Sequence, residues 1–184
     1  MRLNVITSNQ GKAVEFKAAF KDLGISVSHI SIPYDEIQAD TLEEVVRAGV
    51  AALRAEGQSN FLIDDSGLFI DSLGGFPGVY SSYVQKTLGN AGVLKLLHGT
   101  RDRGAEFRCC VGCDVDGKTV MASGSCRGTI LENASGSGGF GFDPIFTVDG
   151  VKSFAEIPMA LKNSVSHRGA AIANLAGELR KMLR

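Results

Sequence analysis

No stretch of the 184-residue chain approaches the run of about 20 apolar residues that spans a bilayer. The opening, MRLNVITSNQ, also lacks the apolar core of a secretory signal. The expectation is a protein kept in the cytoplasm, with no membrane partner. An excess of one charge is missing too. The 19 Lys and Arg against 20 Asp and Glu leave a net charge of −1, which provides no broad electrostatic footprint for DNA, RNA or an acidic surface. A phosphate partner is therefore expected to be small and held locally rather than a nucleic-acid polymer. The phosphate signature GxxxxGK[ST] is absent as well: Gly11-Lys12 matches only its end, and Ala13 has no hydroxyl for a metal. Four cysteines include a CxxC at Cys110 and Cys113, but no second CxxC or paired His accompanies it. The segment EFRCCVGCDV reads instead as a strand in which Cys is a small buried hydrophobe.

What is present is 44% apolar composition, enough for one substantial core, so residues 1–184 read as a single domain without repeat or linker. Leu3 to Ile6 predicts a strand. Phe16, Phe20 and Leu23, at i, i+4 and i+7, predict a helix from about Gly11 to Leu23 that is capped by Asn9 or Ser8 and stopped by Gly24. A strand through Ile25, Val27, Ile30 and Ile32 should end at Pro33. Thr41-Leu-Glu-Glu44 fits a capping box, opening a helix striped by Leu42, Val45, Val46, Val50 and Leu53 and ended by Gly57. Phe61 to Ile63 predicts a short buried strand with a turn at Ser66-Gly67. A helix follows near Thr87 to His98, then strands near Ala105–Val115 and Thr119–Arg127 joined by the hairpin signal Asp116-Gly117. A last helix from Ser166 to Leu183 should bury Ile172, Leu175, Leu179 and Met182. The order is βαβαβ followed by an antiparallel hairpin, a mixed α/β architecture.

Three clusters carry candidate chemistry. Asp64 and Asp65 follow a short apolar run, at the strand end where open α/β sheets bind ligands, and adjacent acids on a strand point to opposite faces. One of them is a candidate for a divalent metal or for activating water, with Glu36 a possible second oxygen ligand. Lys162 to Gly169 gathers Lys162, His167 and Arg168 before an apolar helix, and two cations in a first helical turn are electrostatically misplaced unless an anion sits there. Gly139-Phe140-Gly141-Phe142-Asp143, closing the long glycine-rich loop NASGSGGFGF, lets backbone and aromatic ring approach a flat ligand. The loop Thr7-Ser8-Asn9-Gln10-Gly11-Lys12, opening a helix and bearing a positive charge, suits an anion. Together these describe a nucleotide with a polyphosphate and a metal.

The same segments, TSNQGK at 7–12, EIQ at 36–38, DDSGLFIDSLGGFPGVYS at 64–81, GFGFDPIF at 139–146, FAEIP from 154 and KNSVSHRG to 169, resemble the inosine triphosphate pyrophosphatase family, and archaeal members most. The resemblance implies an elongated α/β protein with a long mixed sheet and flanking helices, two lobes around a central nucleotide cleft, and a homodimer. The implied reaction is Mg²⁺-dependent hydrolysis of ITP, dITP or XTP to the monophosphate and pyrophosphate. Carried over by position, Thr7, Ser8, Asn9, Gln10, Gly11 and Lys12 hold the phosphates, Glu36 and Asp65 bind the metal, and Asp65 also accepts the proton of water. Ser66 contacts substrate. Phe140, Gly141, Phe142, Asp143, Lys162, His167 and Arg168 line the nucleotide pocket, the His-Arg pair reads the 6-oxo edge, and Lys162 with Lys12 offsets charge on the departing pyrophosphate. The chain departs from many relatives at Gly49, where a Lys is common. A pyrimidine nucleotide pyrophosphatase of the septum-inhibitor type and a non-catalytic nucleotide sensor are the alternatives.

Overall fold

The computed structural model describes residues 2–22 and 24–182. Leu23 and Leu183, expected at the ends of the first and last helices, lie outside the described residues. The N-terminal half is a parallel βαβαβ unit, in which β1 (Arg2–Ile6) pairs with β2 (Ser26–Ile30) on one side and with β3 (Phe61–Ile70) on the other. Helices α1 (Gln10–Asp22) and α2 (Leu42–Ala55) form the two crossovers. Helix α2 starts where the capping box predicts, Thr41 accepting from the Glu44 N–H while the Glu44 carboxylate accepts from the Thr41 N–H. Its Leu42, Val46, Val50 and Leu53 are buried, each contributing about 1.5–3 kcal/mol when removed from water.

From β3 onward the sheet is antiparallel. The strands β5 (Gly104–Val115) and β6 (Lys118–Ile130) form the expected hairpin, turning through Asp116 and Gly117, both at positive φ. A two-residue β7 (Phe146–Thr147) adds to β6, and β4 (Pro77–Gly78) adds to β3, completing a seven-stranded mixed sheet in the order β2-β1-β3-β5-β6-β7 with β4 beside β3. The helix expected near 87–98 is α4 (Gly89–Leu96), and a further helix that the sequence reading lacks, α3 (Ser81–Thr87), precedes it; Gly89, at positive φ, separates the two. Helices α5 (Met159–Val165) and α6 (His167–Met182) close the chain.

The principal correction concerns β3. It does not end before Asp64-Asp65 but runs on to Ile70, with Asp64 opposite Val111 and Asp65 opposite Cys110 of β5. Local composition reads as a turn, yet cross-strand pairing satisfies the backbone, and Gly67 is there because the Gly78 carbonyl would lie 2.3 Å from any Cβ.

The core falls into three clusters. Helices α1 and α6 pack on one face of the parallel half, α2 packs on the other, and the far ends of β3, β5 and β6 meet α3, α4 and the segment around Phe146 and Phe154. Cys109 and Cys113 belong to the first cluster and Cys110 to the second, so the CxxC pair points to opposite faces of its strand as buried apolar side chains. Among the described residues no helix is long and apolar enough to cross a membrane. Helix α6 crosses β6 so closely at Gly124 that a Cβ there would lie 2.3 Å from the Ala171 nitrogen and 2.5 Å from the His167 oxygen. Gly124→Ala is therefore expected to lift the start of α6 and to cost about 1–3 kcal/mol. Urea denaturation checks this, and an unchanged midpoint would contradict it.

Candidate active site

Because β3 is continuous, Asp64 and Asp65 point to opposite faces of the sheet, and their surroundings differ accordingly. Asp64 faces α1 and α6 and is almost wholly buried. Its Oδ2 accepts from Ser66 Oγ at 2.9 Å and from Arg168 Nε and Nη2 at 3.2 and 3.1 Å, and Lys12 Nζ lies 3.2 Å away. Burial alone would raise its pKa. The charges of Lys12 and Arg168 and the bonds from Ser66 and Lys12 outweigh burial and hold it at about 2.

Arg168 also donates to Ser66 Oγ at 2.8 Å and to Glu15, a carboxylate on the buried side of α1. Glu15 in turn receives Lys162 Nζ at 2.6 Å, and Lys162 reaches Asp143 at 2.5 Å. Asp143 accepts from the Phe140 N–H at 2.8 Å, which ties the glycine-rich loop into the same network. Arg168 at the start of α6 thus has its anions in Asp64 and Glu15. Ser166 Oγ caps that helix by accepting from the Gly169 N–H.

On the other face, Asp65 receives the Ser66 N–H at 2.9 Å. Burial, reinforced by the charges of Asp64 and Glu36 and only partly opposed by Lys12, pushes its carboxyl up to about 6. Glu36, exposed on the segment after β2, therefore lies close enough to act on it. Asp65 and Glu36 offer hard oxygen ligands of the kind a divalent cation takes. Among the described residues no three His, Cys, Asp or Glu are grouped to enclose a metal by themselves, so such an ion would draw its remaining ligands from water and substrate.

The loop at 7–12 lies beside the two acids. Asn9 caps α1 through its Oδ1 and the Lys12 N–H at 3.2 Å, leaving the Gln10 and Gly11 N–H groups without a partner among the described residues. Lys12 Nζ also donates to the Asp64 carbonyl at 3.2 Å. The Phe140 ring covers Gly11 so tightly that a Cβ there would fall 2.3 Å from the ring edge. Lys162 and Arg168 stand 5.0 and 5.5 Å from the centre of that ring. His167 stacks on Phe107 at 4.6 Å and is buried, and its Nδ1 has no protein partner. Burial, with the charges of Arg168 and Lys162, keeps its pKa well below the usual histidine value.

The structure therefore gathers Thr7 to Lys12, Asp64 to Ser66, Phe140, Asp143, Lys162, His167 and Arg168, with Glu36 at the margin. Several expected roles change. Lys162 is enclosed by two carboxylates rather than presented to a phosphate, and four of the five Arg168 N–H groups serve Asp64, Ser66 and Glu15. The Ser66 hydroxyl is held by Asp64 and Arg168. Phe142 is 4% exposed and belongs to the core behind the loop, because its ring packs among the apolar side chains at the far end of the sheet. The carbonyl of Gly141 is held by Gln85 and Asn90 at 3.2 and 3.1 Å. Sequence reasoning missed Glu15 and Asp64 as the buried partners of Arg168. Glu15 had a signal, since it lies one turn after Lys12 beside the buried Phe16.

A model of the Ham1 family matches residues 3–178. The chain is 46% identical to the dITP/XTP pyrophosphatase of Thermococcus kodakarensis, over 100% of both sequences. It is 46% identical to the dITP/XTP pyrophosphatase of Pyrococcus horikoshii, over 94% of this chain and 93% of the relative. The structure of the Staphylococcus aureus Ham1 protein matches with a TM-score of 0.81 at 32% identity, covering 99% of this chain and 100% of the other.

Removing the shared cation should expose how much of the fold depends on the network. Arg168→Leu leaves Glu15 with Lys162 and Asp64 with Lys12 as their one remaining cation each, and a loss of about 3–5 kcal/mol is expected. A chemical melt that shows less than about 1 kcal/mol would mean that the network is not buried as described.

Proposed function

The chain belongs to the Ham1 family, and on that premise we propose that it hydrolyses the non-standard purine nucleoside triphosphates ITP, dITP and XTP to the nucleoside monophosphate and pyrophosphate. The observation that carries the reading is that the N–H-rich, cationic loop at Gln10 to Lys12 is brought beside the Asp64-Asp65 pair and under the Phe140 ring, with Gly11 and Phe140 in direct contact.

Asp65 and Glu36 are the residues that would hold Mg²⁺, which when bound polarises phosphorus and lowers the pKa of water. The exposed N–H groups of Gln10 and Gly11 and the Lys12 ammonium offset the negative charge of the tail. Asp65, fixed by the Ser66 N–H, is the carboxylate placed to accept the proton of the attacking water. Its neighbour Asp64 stays ionised and anchors Lys12.

Selectivity is assigned to the free Nδ1 of His167. A neutral imidazole protonated there donates to a 6-oxo group, whereas the 6-amino group of adenine would leave that donor unpaired. Arg168 contributes by holding Asp64 and the start of α6 in place rather than by touching the base edge. A homodimer and a cytoplasmic location belong to the same reading and rest on the resemblance. The single domain with a cleft between two halves rests on the separate core clusters at the two ends of β3 and β5.

Purified protein with Mg²⁺ and a panel of purine and pyrimidine triphosphates tests the assignment, with pyrophosphate and free phosphate measured separately. Pyrophosphate is the expected first product, and kcat/KM for ITP or XTP should exceed that for ATP by about 10²- to 10⁴-fold. Equal turnover of ATP and ITP, or free phosphate as first product, rejects the proposal. Asp65→Asn should keep its melting temperature and its affinity for ITP while kcat falls by about 10²- to 10⁴-fold. A near-normal rate in that variant would move the base elsewhere.

A further inference from the structure

The turn that carries Phe140 is anchored from outside. Residues Phe140 to Asp143 close on themselves, the Asp143 N–H donating to the Phe140 carbonyl at 3.2 Å, with Gly141 at φ 62° and Phe142 at φ −89° and ψ 8°. These angles follow the pattern of a type II′ turn, which needs positive φ at its first central residue and so takes Gly there. The carbonyl of that first central residue projects out of the turn and has to find its partner elsewhere. For Gly141 the partner is a pair of amides: Gln85 Nε2 donates to its carbonyl at 3.2 Å and Asn90 Nδ2 at 3.1 Å, using both of its lone pairs.

The break between two helices makes this convergence possible. Gln85 lies in the last turn of α3 and Asn90 in the first turn of α4. On an unbroken helix, residues five apart point roughly 140° away from each other. Gly89, at φ 63°, turns the chain between them and brings both amides onto one atom. Their other ends are left over: Gln85 Oε1 and Asn90 Oδ1 are shielded from solvent with no hydrogen-bond partner among the described residues. Two buried acceptors without donors are a cost, and a local cost of this kind is expected where side chains serve a site. What the pair fixes is the turn. Phe140 covers Gly11 with its ring and Phe142 is sunk in the core, so the Gly141 peptide between them decides how the Phe140 ring is aimed.

We propose that Gln85 and Asn90 are positioning residues for the base: held on the Gly141 carbonyl, their amides lock the Phe140–Asp143 turn, so that the Phe140 ring is set in advance for the flat base of a nucleotide. The inference rests on the preceding reading of a purine nucleoside triphosphate as the ligand.

Binding without turnover tests the role. Gln85→Met and Asn90→Leu keep the size of each side chain and remove a donor together with an unpartnered acceptor. Gly141 is partly exposed, so water takes the place of the amides, and the melting temperature of the double variant should stay close to that of the wild type. Titration calorimetry of the full chain with inosine monophosphate should show about 10-fold weaker binding in the double variant, because the turn is then ordered only on binding. Inorganic tripolyphosphate, which has a tail and no base, should bind both proteins equally. Hydrogen exchange over residues 140–143 should be faster in the double variant. Each single variant keeps one donor on the carbonyl and should lose less, which provides the readout should the double variant fold poorly. Unchanged affinity for inosine monophosphate, an equal loss for the monophosphate and tripolyphosphate, or a wild type that binds no inosine monophosphate overturns the proposal. Monophosphate affinities that differ as expected in a protein that releases no pyrophosphate from any triphosphate would instead sink the function while leaving the positioning role intact.

Discussion

Ionised side chains can be buried together only if their charges alternate, and this chain arranges six of them that way. Asp64 lies between Lys12 and Arg168, Glu15 between Arg168 and Lys162, and Lys162 between Glu15 and Asp143. Each desolvated ion costs several kcal/mol unless its partners are in place. The contributors come from α1, β3, the glycine-rich loop, α5 and α6, so satisfying any one of them requires most of the fold to be assembled. The Phe140 ring lies over this network and the phosphate-type loop lies under the ring, which places the ligand-facing surface on a rigid charged foundation.

The adjacent acids illustrate how a strand divides labour. Asp64 and Asp65 have the same chemistry and neighbouring positions, but the pleat sends one toward two cations and the other toward a third acid. One is held at about 2 and the other is pushed up to about 6. Environments that drive two like groups apart in this way separate a permanent structural anion from a group able to exchange a proton. Lys12 spans the two roles, being close to Asp64 and at the head of the loop proposed to grip phosphates. Glu36, the second acid proposed for the metal, is not on the sheet at all.

Local signals carried far where the physics is local. The capping box at Thr41, the stripe of α2, the Asp116-Gly117 turn and the burial of the cysteines are decided within a few residues, and the structure repeats them. The Asp-Asp-Ser-Gly segment misled because its composition resembles a strand end, while its pairing with Cys110, Cys109 and Arg108 is a long-range event. The misplaced charge of Arg168 was recognisable as a conflict, but the anions resolving it were not, since nothing near it in the chain is acidic, and His167, counted with it, is buried with its pKa held low.

The sequence by itself determined the mixed α/β order, the segments that converge on the site and the kind of ligand they suit, because periodicity, capping and residue chemistry act over short spans. Only the tertiary structure decided which cations are free and which are spent. Lys162 and Arg168 meet Glu15 across separations of 147 and 153 residues, and desolvation depends on what surrounds a charge in space rather than on what precedes it along the chain.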